Sequence, residues 1–339
     1  MKTKKPAPAS PDLFFDTITA YQKTAALKAA IDLDVFTALA GKPADAKSIA
    51  RVCKADARGM RILCDFMTVQ GFLEKKRDRY SLAPVSATFL SRKSPAYAGG
   101  AAEFLLSDHL TSAFQKLTES VRRGGTAQSE RGSMEPEHPM WITFARAMGG
   151  MMYPASQALA GLLGLNPKRE TKTLDVAAGH GVWGISVAQK YPKARVVALD
   201  WASVLQVAEE NAKAAGVADR FSTIAGSAFD APLGKDYDAV LIPNFLHHFN
   251  EKECIRFLKR AHGALRPGGR VAIVEFVPNP DRVTPPQAAG FSLVMLATTA
   301  EGDAYTFEEY ARMLKAAGFK KPTAHPLPAS MNQALIAVK

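Results

Sequence analysis

Three short stretches of this 339-residue chain hold residue types at spacings that could do chemistry. The first is LDVAAGHGVWG, residues 174–184, where a β-rich run meets Gly179, Gly181 and Gly184. A strand that turns through glycines into a helix lets a ligand approach the backbone closely and presents unpaired N–H groups to it. The spacing also satisfies G-x-G-x-x-G, the pattern of a dinucleotide site, although glycines that merely permit tight helix–strand packing would leave the same trace. The second is Asp200, which closes the next β-rich run 25 residues after Asp175. A carboxylate there can accept both hydroxyls of a ribose, and Trp201 beside it could cover an adenine face. The third is NFLHHFNEKEC, residues 244–254, between a β-rich run and a helical one. It sets His247 and His248 at the carboxyl ends of strands, where open α/β sheets bind substrate. Histidine is the natural base near neutrality. The plainer alternative is a loop-to-helix junction with one His capping and the other solvated. No third ligand lies near the pair in sequence, so no metal is expected.

Asp175 separates two cofactor chemistries. It precedes Gly179 by four residues, inside the strand, where a carboxylate would repel a pyrophosphate and attract a cationic methionyl ammonium. The glycine motif also follows a long helical region instead of opening the chain. Both points favour S-adenosylmethionine over a nicotinamide dinucleotide, and a dehydrogenase stays as the alternative enzyme.

Elements able to position these residues can be read from periodicity. Residues 13–39 carry Phe14, Ile18, Tyr21, Ala25, Leu27 and Ile31 at helical spacing, with a break near Leu33 and Asp34. Residues 47–53 and 57–71 predict two more helices, the second stopped by Gly71, and FLEKKRDRYSL predicts a hairpin. Helices followed by a β-ribbon give the winged-helix order. Residues 98–165 are helical again, with a polar break at GGTAQSERGSMEPEHP. From residue 172 onward, β-rich runs alternate with helical stretches 182–190, 202–215 and 251–264, which predicts βαβ units and a parallel sheet covered on both faces. A further helix, 307–317, and two last strands complete the chain.

With these residues in place, the chain resembles the class I S-adenosylmethionine-dependent methyltransferases, through LDVAAGHG and through LRPGGRVAIVEF at 265–276. Its layout is similar to small-molecule O-methyltransferases of the caffeate and phenazine type, from about Asp12 to the end. The resemblance implies a Rossmann-like α/β fold, a seven-stranded sheet that is mostly parallel with its last strand antiparallel. It implies four parts: a disordered basic tail (1–11), a winged-helix-like dimerisation domain (12–97), a helical linker and substrate-pocket segment (98–165) and a methyltransferase domain (166–339). It implies donor contacts from Asp175, Gly179, Gly181, Asp200, Trp201, Ser227, Ala228 and Asn244. Ser227 stands where many members carry Asp near the adenine amine, and Ala177 where glycine is commoner. His247 matches the catalytic base and Glu275 the glutamate that orients it, while His248 and Phe249 replace the Asp and Trp of the family's His-Asp-Trp motif. A second supporting glutamate falls on Ala304, next to Asp303, so C- or N-methylation by the same fold remains an alternative to O-methylation.

An acceptor pocket should be apolar. Trp141, Phe144, Met148, Met151 and Met152 lie upstream of the donor motif, and Phe291, Met295 and Thr298 follow the fifth strand; with His248 they form the expected wall, although each alone could be core.

Composition bounds the rest. A 47% hydrophobic, 22% charged chain excludes disorder and collagen-like repeats and suits about two domains. The net charge of +11 is uneven: residues 1–100 hold 17 Lys and Arg against 9 Asp and Glu. That invites a DNA-binding regulator with 57–71 as recognition helix and Arg58 and Arg61 facing a groove. Met60, Ile62, Leu63, Phe66, Met67 and Val69 make this helix too apolar for a reading face and favour a homodimer contact, with no nucleic-acid partner. Three cysteines, no secretory signal and no apolar run of about 20 residues predict a cytoplasmic protein with no membrane partner.

Overall fold

The computed structural model describes residues 10–130 and 132–339, so the expected tail over 1–11 falls outside it except for its last two residues. The chain forms two compact units, Met1–Ala102 and Glu103–Lys339.

In the first unit, helices α1 (Asp12–Ile18), α2 (Ala20–Asp32) and α3 (Val35–Ala38) are separated at Thr19 and at Asp34, whose φ of 56° ends the helical run. Strand β1 (Ala44–Asp45) leads into α4 (Ala46–Val52), which Asp45 caps by accepting the Ser48 N–H at 2.9 Å. Next come α5 (Ala57–Val69), the hairpin β2 (Leu73–Lys76) and β3 (Arg79–Leu82), and α6 (Pro84–Phe89). The strands pair antiparallel in the order β1-β3-β2. The α5 helix is not apolar all round. Met60, Cys64 and Met67 line one buried face at i, i+4 and i+7, and Asp65 on another is bonded by Arg61, Lys75 and the Tyr80 hydroxyl. The exposed apolar surface is concentrated instead on α1, which buries no residue and leaves Leu13, Phe14, Phe15 and Ile18 at least half exposed.

Helix α7 (Ala101–Leu105) leads into the second unit, where α8 (Asp108–Gln115), α9 (Leu117–Arg123) and the 23-residue α10 (Met140–Leu162) precede the sheet. The sheet strands are β4 (Thr171–Val176), β5 (Ala194–Asp200), β6 (Phe221–Ala225), β7 (Tyr237–Pro243), β8 (Leu265–Glu275), β9 (Lys320–Pro326) and β10 (Gln333–Val338). Their order is β6-β5-β4-β7-β8-β10-β9, and β10 alone opposes its neighbours. Helices α11 (Val182–Lys190), α12 (Ala202–Ala214), α13 (Glu251–Ala264), α14 (Pro286–Thr298) and α15 (Phe307–Ala316) complete the unit. Inner strands with both faces covered are mostly apolar, and all seven residues of β7 are buried, including Asp238, which pairs with Arg169 and Arg266. The strand order reverses between β4 and β7, which opens a crevice at their carboxyl ends.

Gly184 shows how tightly that crevice is built. A Cβ on it would lie 2.6 Å from Val196 Cγ1 and 2.9 Å from Asp175 Oδ2, so α11 can approach β4 and β5 only because no side chain intervenes. Gly184→Ala should therefore destabilise the protein by about 1–3 kcal/mol, read as a lower midpoint in denaturant unfolding at unchanged slope.

Candidate active site

The donor side of the crevice is a turn and two carboxyls. From β4 the chain enters a turn in which Gly179 (φ 56°) and Gly181 (φ 72°) occupy left-handed backbone, and Gly181 is the N-cap of α11. Asp200, at the end of β5, ties the turn down: its Oδ2 accepts the Gly179 N–H at 2.8 Å and its Oδ1 the Trp201 N–H at 2.7 Å. Each oxygen keeps a further lone pair for a ligand hydroxyl. Burial pushes the Asp200 carboxyl up to about 6 against the pull of these two bonds.

Asp175 is completely buried, opposite Ala198 on β5 and Leu241 on β7. Its Oδ2 accepts the Gly184 N–H at 2.8 Å, and its Oδ1 is buried without a partner. Burial drives its carboxyl up to about 8, the Gly184 bond opposing and the neighbouring Asp200 charge reinforcing the rise.

A cavity of about 520 Å³ opens beside Asp200. Ala177, Trp201, Ser227, Ala228, Phe229 and Phe245 are among its lining residues. The Ser227 hydroxyl accepts the Phe229 N–H at 3.2 Å and keeps its own proton to donate. Asn244 (φ 50°) is held by its N–H to Val274 O and by the Asn332 amide on its Oδ1 at 3.1 Å. An acid for ribose hydroxyls, glycine backbone open to close approach and an unsatisfied buried carboxyl oxygen fit an adenosyl group carrying a cationic amino-acid tail.

The acceptor side hangs from β7 and β8. Leu246–His248 form a single 3-10 turn after β7, and Glu275, fully buried at the end of β8, organises it. Glu275 Oε1 accepts the N–H groups of Phe245 (3.0 Å), Leu246 (2.9 Å) and His247 (3.3 Å), while Oε2 accepts the His247 Nδ1–H at 2.5 Å. Since a carboxylate only accepts, the ring carries its proton on Nδ1 and leaves the Nε2 lone pair free. Such an imidazole can take a proton from a bound hydroxyl.

Aromatic rings surround it. Phe291 meets the His247 ring edge-on at 4.8 Å and stacks on Phe276 at 3.8 Å. His248 lies 4.3 Å from His247 and 5.4 Å from Trp141, whose indole N–H donates to Ser133 O at 3.1 Å. The His248 Nδ1 is buried without a partner, and burial together with the adjacent His247 lowers its pKa well below the usual range. Phe144 joins Trp141 at 6.0 Å. Met148 is half-buried on the same helix, Met295 is buried on α14, and Met152 turns its sulfur to His180 at 3.1 Å. His180, Phe276 and Asn332 were not singled out by sequence. His180 lies between two glycines that by themselves account for the motif.

Asp303 does not stand in for a second carboxylate at His247. Its side chain pairs with Arg282 at 3.3 Å and accepts the Ala304 N–H, while its backbone N–H donates to His247 O. Ala304 itself is fully buried. Among the described residues no group of three or more His, Cys, Asp or Glu could hold a metal ion.

Comparison with known proteins identifies the family. Residues 163–320 match the O-methyltransferase domain model, and residues 15–92 match the O-methyltransferase dimerisation domain model. The 3-hydroxy-5-methyl-1-naphthoate 3-O-methyltransferase of Streptomyces sahachiroi is 30% identical over 319 residues, 92% of this chain and 90% of that protein. Among solved structures, a candidate O-methyltransferase of Nostoc punctiforme superposes with a TM-score of 0.94 at 50% identity, covering 98% of this chain and 100% of the other. Human N-acetylserotonin methyltransferase in complex with S-adenosylmethionine superposes at 0.85 with 21% identity, covering 99% of each chain. The fold is that of the methyltransferases it superposes on. The chain belongs to the O-methyltransferase family.

Asp175 makes the ligand-free protein sensitive to pH. Its carboxyl is protonated in the folded state up to about 8 but ionises near 3.8 when unfolded, so between these values the folded state binds the extra proton. Stability should fall as pH rises through that window, by up to about 1.4 kcal/mol per pH unit. Asp175→Asn should reduce the slope in denaturant titrations at pH 5, 6 and 7, and most fully between pH 6 and 7, above the range where Asp200 also holds an extra proton.

Proposed function

We propose that the acceptor is a small aromatic hydroxyl and that His247, oriented by Glu275, is the general base for its methylation. The observation that carries this reading is the buried His247–Glu275 pair, walled by Phe291, Phe276, Trp141 and His248, at the same end of the sheet as the glycine turn and Asp200.

Bound beside Asp200, S-adenosylmethionine supplies an electrophilic methyl group on a sulfonium. The protein's part is to hold the acceptor oxygen in line with that methyl at about 3–3.5 Å, which can lower the barrier by about 7–11 kcal/mol. A phenol ionises near 10, so it is mostly protonated at neutrality. His247 Nε2 receives the hydroxyl proton as the oxygen–carbon bond forms, and Glu275 stabilises the resulting imidazolium. The carbon–sulfur bonding pair leaves with sulfur, so charge and atoms balance. The stacked Phe276 and Phe291 suit a flat ring. The 30% identity to an enzyme named for a hydroxynaphthoate supports an aromatic acceptor.

The same reading assigns 12–97 to dimerisation, 98–165 to the acceptor wall and 166–339 to donor binding. A homodimer through the first unit is supported by the match over 15–92 and by the exposed apolar row on α1. A cytoplasmic location is supported by three unpaired cysteines; among the described residues no helix is long and apolar enough to cross a membrane.

Incubation with methyl-labelled donor and a panel of hydroxynaphthoates should label a phenolic oxygen; label on carbon or nitrogen alone would replace this reading. His247→Ala should lower kcat by about 10² to 10⁴ while leaving S-adenosylhomocysteine affinity intact, and an unchanged rate would leave transfer to proximity alone. For the assembly, Phe14→Asp with Ile18→Asp should shift the sedimentation mass toward that of a single chain.

A further inference from the structure

We propose that His180 is a positioning residue that locks the acceptor-side helix α10 onto the donor turn, so that filling the donor site tightens the acceptor wall. The inference rests on the donor reading given above.

His180 sits between Gly179 and Gly181, and no part of the proposed chemistry uses it. It is 1% exposed. Its Nδ1 accepts the Val182 N–H at 3.1 Å, which places the ring proton on Nε2. That N–H points at Met152 Sδ, 3.1 Å away on α10. The ring also stacks on Phe144, two turns earlier on the same helix, at 5.9 Å and 22° between planes. From the opposite side, the Asn211 amide of α12 donates to His180 O at 2.9 Å. One residue of the donor turn is thus gripped by two helices. Burial holds its pKa down to about 4, so the ring keeps this neutral tautomer at working pH.

The grip falls where α10 is weakest. Gly149 and Gly150 are poor helix formers, and Pro154 removes a helical hydrogen bond. Beyond that point α11 holds α10 firmly: Ser156 and Ser186 hydroxyls bond at 2.7 Å, and Gln157 reaches Ser186 at 3.0 Å. The part before it carries Trp141 and Phe144. Close approach there needs Gly149, since a Cβ on it would lie 3.3 Å from His180 Cβ. A ligand that orders the turn therefore orders residues 140–152 through His180, and by linkage an ordered wall favours the donor.

Hydrogen exchange with and without S-adenosylhomocysteine tests this on the full chain. In wild type the ligand should slow exchange in the turn, 177–184, and also in 144–152, by about fivefold or more. Met152→Leu removes the sulfur acceptor, and His180→Asn keeps an acceptor for the Val182 N–H but cannot reach α10. Both should retain protection of the turn and lose most of it in 144–152, and the double variant should lose no more than either single one. Undiminished protection of 144–152 in the variants, or additive losses, would overturn the proposal. Absence of any protection in wild type would instead sink the donor reading itself. If His180→Asn fails to fold, Met152→Leu alone decides.

Discussion

A single carboxylate, Glu275, holds the reactive half of this protein together. Taking a charged group out of water costs several kcal/mol unless hydrogen bonds replace the lost hydration. Here four N–H groups do so, three from the backbone of residues 245–247 and one from the His247 ring. The same bonds that make the buried charge tolerable fold the 3-10 turn and select the histidine tautomer. Imidazole orientation and turn conformation are therefore one interaction. It exists because β7 and β8 pair in parallel as far as Pro243 and Val274, which brings the end of one strand beside the beginning of the turn that follows the other.

The donor half uses carboxyls differently. Asp200 has backbone partners for both oxygens, whereas Asp175 has one for only one. The Asp200 charge raises the cost of ionising Asp175, and a cationic ligand would relieve it. The acceptor half supplies mostly rings, so one crevice joins a charged end and an apolar end. That division suits a reaction between a sulfonium and a neutral aromatic hydroxyl.

Much of the frame is legible in sequence, and the reason is local. The β-rich runs before Gly179 and Asn244 are almost wholly buried, so they stand out as mostly apolar stretches, and helices Val182–Lys190 and Glu251–Ala264 fall where the periodicity puts them. Strand Ala44–Asp45 is too short to leave a pattern. For α5, the apolar content was visible but not its direction, because Arg61, Asp65 and Lys75 form their network across two elements. Contacts that cross the sheet were the least accessible. Glu275 and His247 stand 28 residues apart, and no spacing rule joins them; family resemblance suggested the pair and coordinates supply the bond. His180 was hidden by its glycine neighbours, whose backbone demands explain the segment without asking what the side chain does.

One further consequence concerns how such a protein can change. His247 and the glycine turn hang from the ends of β4, β5, β7 and β8, whose register is set deep in the sheet. Trp141, Phe144 and Phe291 come from helices that add no strand. On the proposed reading, ring-for-ring exchange on those helices reshapes what is admitted while leaving proton removal and methyl supply as they are. Chemistry and selectivity are then inherited on separate pieces of the same chain, and drift in one need not be corrected by drift in the other.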